Sequence, residues 1–171
     1  MNRLLPFTLA AVLLPSCQSM SEGILGLEGR AIIFDDQSLD NVTSDDIDVA
    51  SYGAQLSLNT PIVDVLASLD MREYGDEDTP ELQFGARRRF LELWKVHPFV
   101  EANLRYGIDL DTGQVSDGYF GYNFGGGVLV DLTDHMFLTA RVLWETADLE
   151  YPGGSVSADG VVGMIGVGVH F

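Results

Sequence analysis

Cysteine is nearly absent from this 171-residue chain, which contains only Cys17. A single cysteine excludes an intrachain disulfide and a cysteine-rich metal site. Basic residues are also scarce, because 9 Lys and Arg stand against 26 Asp and Glu and give a formal net charge of −17. Such a charge argues against nucleic-acid binding through a basic face.

Long apolar runs are missing after residue 16. A transmembrane helix needs about 20 consecutive apolar residues, so none is predicted in the body of the chain. Hydrophobic residues nevertheless make up 46% of the sequence, which is too apolar for a disordered acidic tail. The length fits one folded domain behind a short leader.

The first 16 residues have the features of a secretory signal peptide, with Arg3 ahead of an apolar stretch that runs from Leu4 to Leu14. The sequence Leu14-Pro15-Ser16-Cys17 resembles a bacterial lipobox, although Pro15 departs from the usual residue at its position. The resemblance implies cleavage before Cys17, lipid attachment to that cysteine, and a short periplasmic linker over residues 17–22. Ordinary signal-peptide cleavage near Ser19 to Ser21 is the alternative.

From about residue 23 onward the apolar residues recur with a period of two. Leu138 and Val142 fall on one face of the stretch 136–146, whereas Arg141 and Glu145 fall on the other. Alternation of this kind is typical of a β-strand with one apolar and one polar face. It predicts eight strands, over residues 24–34, 47–58, 62–73, 81–91, 98–109, 118–132, 136–147 and 159–171.

The predicted connections alternate in length. Three are short, at residues 59–61, 92–97 and 133–135. Four are longer and rich in Asp and Gly, at residues 35–46, 74–80, 110–117 and 148–158. An even number of strands with short turns at one end and long loops at the other predicts an all-β fold, an eight-stranded antiparallel up-and-down transmembrane β-barrel over residues 23–171.

The polar face of the strands contains equal numbers of acidic and basic residues. A soluble sandwich or lipocalin-like barrel would turn this face to water, where no charge balance is needed. A membrane barrel turns it inward, where unpaired charge is costly, so the balance favours the membrane barrel and an interior ion network. The predicted network consists of Glu28, Arg30, Asp64, Asp70, Arg72, Arg87, Arg89, Glu101, Arg105, Asp131, Arg141 and Glu145.

Arg88 does not fit the alternation, because strict period two directs it towards lipid. A β-bulge or snorkelling of its side chain towards the membrane interface would accommodate it.

Three segments resemble the small outer-membrane β-barrels of the outer membrane protein A/X type. Gly166-x-x-Val169-x-Phe171 is similar to that family's C-terminal assembly signal, although Met164 replaces a residue that is often polar. Residues 97–107 resemble its middle strand, and residues 125–135, with the strand that follows, resemble its sixth and seventh strands. The resemblance implies a barrel in the outer membrane of a Gram-negative bacterium, both termini in the periplasm, and recognition by the outer-membrane insertion machinery. It brings no catalytic residues and no cofactor.

Acidic residues concentrate in the longer connections. The segments 35–48, 73–81, 109–117 and 148–159 hold 17 of the 26 acids and none of the bases. One interpretation is a surface that binds Ca²⁺ or bridges to lipopolysaccharide through Mg²⁺; the other is a solvated acidic rim. The candidate cation ligands are Asp76, Glu77, Asp78, Asp109 and Asp111.

The three histidines, His97, His135 and His170, are predicted to face inward near the periplasmic end. Hydrogen-bonded residues that close the barrel floor are favoured over a metal site or a pH-sensitive plug.

The sequence therefore predicts a monomeric, non-enzymatic barrel with a packed interior in place of a channel. Its predicted role is structural or one of surface interaction through the acidic loops. An adhesin or ligand-binding module that uses the same loops is the alternative, and a lipid-modifying enzyme is a third hypothesis.

Overall fold

Eight antiparallel strands close into a barrel in the computed structural model, which describes residues 23–39, 49–74, 77–90, 93–108, 119–151 and 154–171. Each strand pairs with its neighbours in the chain, and the first pairs with the last. The predicted fold class is confirmed. The strands are β1 Leu25–Leu39, β2 Val49–Leu58, β3 Asp64–Tyr74, β4 Glu77–Arg89, β5 Val96–Gly107, β6 Phe120–Asp131, β7 Met136–Tyr151 and β8 Gly154–His170.

The two ends of the barrel differ. The basal end holds the turns β2–β3, β4–β5 and β6–β7 together with Leu25 and Phe171, which exchange backbone hydrogen bonds of 3.1 and 2.9 Å. The distal end holds the other four connections. Within the described ranges, the chain has no helix that is long and apolar enough to cross a membrane.

Much of the sequence predicted as long distal loops is strand. Residues 35–39, 77–80, 148–151 and 154–158 continue the ladders, so only residues 75–76 and 152–153 separate the strands of two distal hairpins. The loop prediction was wrong there because Asp, Gly and Ser are typical of loops. The sequence of these segments also lacks the period-two alternation of apolar residues that locates the other strands.

Side chains alternate between the lumen and the outer surface. Leu138 and Val142 are exposed, whereas Arg141 and Glu145 on the same strand are buried. The outer surface is apolar, and its exposed residues include Leu27, Val65, Leu69, Phe84, Leu104, Tyr122, Phe124, Ile165 and Val167. Apolar side chains also occupy part of the lumen, in one cluster of Phe99, Leu129 and Phe137 and another of Leu143, Val162 and Met164.

Arg88 follows the regular register opposite Val100, so the bulge that the sequence allowed at this position is wrong. Its half-buried side chain lies on the outer face. A register shift of the kind that a bulge produces lies between β1 and β8, where Ile32 pairs with Met164 and Phe34 with Gly163.

Candidate functional site

The lumen is the most unusual part of the molecule, because buried arginines and carboxylates fill it. Eleven of the twelve residues predicted for the ion network are buried, and the side chain of Asp131 is 19% exposed. Burial of this kind requires each charge to have a partner. The arrangement of those partners follows from the barrel.

Four of these residues form a ring that we call the basal square, made of Glu28, Arg87, Glu101 and Arg141. Arg87 contacts Glu101 at 3.1 Å and Glu28 at 3.6 Å. Arg141 contacts Glu101 at 3.2 Å and donates to Glu28. The four side chains come from β1, β4, β5 and β7, so the square joins walls that face each other across the lumen. The Phe99 ring lies 4.4 Å from the Arg87 guanidinium carbon, which adds a cation–π contact.

A second ring, the distal square, repeats the arrangement with Arg72, Glu81, Arg105 and Glu145. Arg72 contacts Glu145 at 2.7 Å and Glu81 at 3.5 Å. Arg105 contacts Glu81 at 2.6 Å and Glu145 at 3.1 Å. The hydroxyl of Tyr119 donates to Glu81 as well.

Amides connect the two squares. Asn103 donates to Asn123 at 2.7 Å and to Glu101 of the basal square at 3.4 Å. Asn123 donates in turn to Glu145 of the distal square at 3.3 Å. The squares are therefore parts of one hydrogen-bonded network.

Two ion pairs accompany the squares. Arg30 donates to Asp70 at 2.8 Å and to Ser68 at 2.7 Å. Arg89 contacts Asp64 at 3.2 Å. Each square and each pair is formally neutral, so charge is balanced locally.

Glu81 was missed as a member of the network. Its place in the sequence assigns it to the acidic 73–81 segment, whereas the structure places it in the lumen at 0% exposure. The available signal was its spacing, because Glu81, Gln83, Arg87 and Arg89 share the parity of one strand face. With Glu81 included, six carboxylates balance the six lumen arginines, and Asp131 is left over.

Asp131 lies with two histidines at the basal end. His97 Nε2 is 2.7 Å from one carboxylate oxygen, and His170 Nε2 is 3.9 Å from the other. Phe137 stacks on the His170 ring at 4.4 Å between centroids. His135 is exposed, so its predicted inward orientation is wrong. It belongs to the β6–β7 turn, where Thr133 caps the chain and the strand parity no longer applies.

The predicted cation ligands are not brought together by any contact that the structure describes. Glu77 and Asp78 are in β4 and pair with Tyr74 and Glu73, whereas Asp76, Asp109 and Asp111 lie outside the described residues, as does Cys17. Among the described residues, no group of three or more His, Cys, Asp or Glu side chains is placed to hold a metal ion.

The predicted C-terminal signal completes β8. Gly166 faces the lumen, and a Cβ there would meet the side chains of Glu28 and Thr139. Val169 is half-buried and pairs with Leu27 and Met136, and Phe171 is 62% exposed beside β1. Packing therefore favours glycine at position 166, since the Glu28 carboxylate of the basal square occupies the space that a side chain would need.

Comparison with known proteins identifies the architecture. No protein-family model matches the sequence, and no curated protein matches it either. The solved structure of Neisserial surface protein A matches with a TM-score of 0.62 and 15% identity, over 86% of this chain and 96% of that one. This chain has the fold of a small outer-membrane β-barrel. At this identity the similarity establishes the fold and not the function.

Two other solved structures match with a TM-score of 0.47. The outer membrane protein OprG from Pseudomonas aeruginosa is 16% identical over 88% of this chain and 96% of its own. A de novo designed transmembrane β-barrel is 10% identical over 88% of this chain and 98% of its own.

Proposed function

We propose that this protein is an integral outer-membrane barrel with a structural or surface-interaction role that depends on its acidic distal hairpins. One observation supports it above the others. The charged side chains are buried in a locally neutral lumen, whereas Leu, Val, Ile and Phe side chains cover the outer surface. A soluble barrel requires the opposite arrangement, because its outer surface meets water. A lipid bilayer around the barrel accounts for the apolar outer surface, and the closed wall keeps the charged side chains of the lumen away from the lipid.

A packed lumen is favoured over a conducting one. Both squares span the barrel, and the side chains of their eight members are no more than 2% exposed. Eight strands enclose a space that side chains alone can fill. The network then acts as a rigid support between the walls.

The proposal also orients the barrel. The basal end has three short connections, the start of β1 and the end of β8, as periplasmic ends of such barrels do. With the basal end in the periplasm, a lipid on Cys17 would enter the inner leaflet of the outer membrane beside β1. Labelling cells with a fatty-acid probe tests this part: Cys17→Ser should abolish labelling, and persistent labelling would contradict lipidation.

The distal end supports the surface role. Its hairpins prolong β1, β4 and β7 into acidic sequence that has no matching bases. Lipopolysaccharide phosphates are acidic too, so contact between the two would need Mg²⁺ or Ca²⁺ as a bridge. The proposal therefore makes two predictions, that the distal end binds divalent cations and that the barrel is a monomer.

Detergent gels and cell fractionation test the core of the proposal. A closed barrel has no free strand edge and resists detergent until it is heated. The unboiled protein should migrate differently from the boiled protein and should be recovered with outer membranes. Protease added to whole cells should cut only the distal connections. Identical migration combined with recovery in the soluble fraction would contradict the proposal.

An adhesin or ligand-binding module is the second candidate, and the paired distal hairpins favour it because ordered strands can present a fixed surface. Shortening the β7–β8 hairpin distinguishes the two. A binding module would lose adhesion to its partner, whereas a structural barrel would lose only surface charge.

A further inference from the structure

The basal end of the lumen holds one carboxylate more than the lumen arginines balance. Asp131 lies outside the two squares and the two ion pairs, and among the described residues no arginine or lysine side chain contacts it. Its ionic contacts are to His97 and His170, and we call these three residues the floor cluster. The side chain of Asp131 is 19% exposed, whereas those of His97 and His170 are 5% and 3% exposed. The cluster therefore lies between the buried network and the solution at the basal end.

The two histidines differ in what their rings contact. The Nε2 atoms of both rings face Asp131, but the Nδ1 atom of His170 also lies 3.4 Å from the Asn59 side-chain nitrogen. That amide group donates to the Gly23 carbonyl oxygen at 2.8 Å as well. An amide nitrogen donates and does not accept, so the contact needs a His170 Nδ1 atom without a proton. A charged His170 ring would set two N–H groups against each other, and the geometry therefore suits a neutral one.

His97 is the ring that suits a positive charge. Its Nε2 atom is 2.7 Å from an Asp131 oxygen and donates to it in either charge state of the ring. A second proton on the ring turns this hydrogen bond into an ion pair, which is roughly twice as strong. The imidazolium also neutralises the carboxylate that the arginines leave unbalanced, and unbalanced charge is costly where water is scarce.

Charged groups on the neighbouring elements do not take over this task. The members of the basal square come from β1, β4, β5 and β7 and neutralise one another. Arg89 of β4 contacts Asp64 of β3 at 3.2 Å. The charged or titratable side chains of the described basal turns are those of Lys95, Asp134 and His135, and all three are exposed. Lys95 meets Asp131 through its backbone, because its carbonyl oxygen accepts from the Asp131 N–H at 2.9 Å.

The floor cluster lies where the separate parts of the basal end meet. The Lys95 contact connects it to the β4–β5 turn. The backbone N–H of His170 donates to the His135 carbonyl oxygen at 2.8 Å, which connects β8 to the β6–β7 turn. Asn59 of the β2–β3 turn donates its backbone N–H to Ile24 at 2.8 Å, at the start of β1. A change of charge in the cluster is thus felt by all three basal turns.

We propose that the floor cluster is a pH-sensitive switch, in which a proton on His97 neutralises Asp131 and holds the basal turns together. Loss of that proton removes the ion pair and loosens the basal end, while the two squares stay closed. The stabilisation is present on the acidic side of the range in which histidine ordinarily titrates, around pH 6.5, and is lost as the pH rises through that range. The inference goes beyond the proposed function, because it holds for the barrel in detergent as well as in a membrane.

Amide hydrogen exchange of the barrel in detergent, followed by NMR at about pH 5.5 and about pH 8, tests the switch. After correction for the intrinsic pH dependence of exchange, the Asp131 and His170 amides should exchange severalfold faster at the higher pH. The amides of Asn103 and Asn123, between the squares, should not. His97→Gln and Asp131→Asn should each abolish the difference. His135→Gln is the matched control and should keep it, since its side chain is exposed and its backbone carbonyl is retained. A difference that persists in His97→Gln, or is absent from the parent, would overturn the proposal.

The ring nitrogens give a second test that leaves the floor cluster intact. The chain has three histidines, so His135→Gln leaves only the two rings of the cluster in the spectrum. At about pH 5.5 one ring should show the nitrogen shifts of an imidazolium and the other those of a neutral ring with its proton on Nε2. Two neutral rings, or a charged ring that His170→Gln removes, would overturn the assignment to His97. Each measurement is made on protein that shows the heat-dependent gel shift, so failure of the switch leaves the barrel proposal standing.

Discussion

Single side chains in the lumen depend on one another because each unit of the network is neutral by itself. Glu145 illustrates this, since its carboxylate contacts Arg72 at 2.7 Å and Arg105 at 3.1 Å. Without it, the distal square would have one carboxylate, Glu81, for its two guanidinium groups. A buried charge with too few partners is far more destabilising than the loss of a charge in water.

Glu145→Gln is therefore expected to lower the free energy of unfolding by about 3–5 kcal/mol. Urea unfolding of the barrel in detergent measures the change, and Asp134→Asn, an exposed acid, is the control with an expected change within about 0.5 kcal/mol. Adding Arg72→Gln to Glu145→Gln restores neutrality and should recover part of the loss. Equal effects of Glu145→Gln and Asp134→Asn would show that the distal square does not stabilise the fold.

Gly166→Ala tests the packing of the basal square. The added methyl group would displace the Glu28 carboxylate from Arg141 and Thr139. A Cβ at this position would overlap the Glu28 carboxylate oxygen and the Thr139 hydroxyl. We expect a loss of about 1–3 kcal/mol in the same unfolding measurement. Gly29→Ala is the matched control, since its nearest neighbour would be the Val167 carbonyl oxygen at 3.9 Å. A stable Gly166→Ala variant would mean that Glu28 can move without loss of its partners.

Residue parity was readable from the sequence, but the pairing of residues was not. A strand places alternate side chains on opposite faces, so Arg30, Asp70 and Arg141 could be assigned to the lumen face without coordinates. Which arginine meets which carboxylate depends on the stagger and tilt of all eight strands, because Glu28 and Arg141 are 113 residues apart. His135 could not be placed, since parity ends where a turn begins.

The strands have two parts, an apolar band in which apolar and polar residues alternate and distal extensions in which they do not. In the apolar band, alternation predicts the strands β2, β3, β5 and β6 closely. Beyond the band, β1, β7 and β8 continue for four or five residues at one end of each strand through sequence rich in Asp, Gly and Ser. Backbone pairing continues through these extensions, with Leu39 opposite Ala158 and Tyr151 opposite Gly154.

The distal part of the β7–β8 hairpin should therefore be removable. Deleting residues 149–156 and joining Asp148 to Ser157, which are paired, through Asn-Gly gives a two-residue turn in the same ladder. The shortened barrel should keep its heat-dependent gel shift, and its urea midpoint should be nearly unchanged. Deleting the same number of residues within 136–147 should abolish folding and serves as the contrast. A shortened variant that no longer folds would place the hairpin within the cooperative core.

For the whole molecule, assembly and stability are separable properties, and Phe171 distinguishes them. Its backbone closes the barrel against Leu25, while its side chain is largely exposed. Phe171→Ala keeps the backbone hydrogen bonds and should cost no more than about 1–2 kcal/mol in detergent. If the C-terminal residues are an assembly signal, insertion in cells should fall sharply, as measured by the amount of heat-modifiable protein in outer membranes.

Phe171→Tyr provides the control for that experiment, because it keeps an aromatic ring at the chain end. It should restore insertion to near the parental amount. Normal insertion of Phe171→Ala would refute the assembly signal and leave the residue with an interfacial role only.

The neutral squares also limit how a lineage of such barrels can change its sequence. Replacing one charged residue of a square by a neutral one leaves an uncompensated charge in the lumen, whereas the outer surface tolerates replacement of one aliphatic residue by another. We expect homologues to differ freely on the lipid side and to alter a square only by compensated exchanges that involve residues of distant strands, such as Glu28 with Arg141. Selection would then preserve the sum of charges at each level of the lumen more strictly than the identity of any one residue.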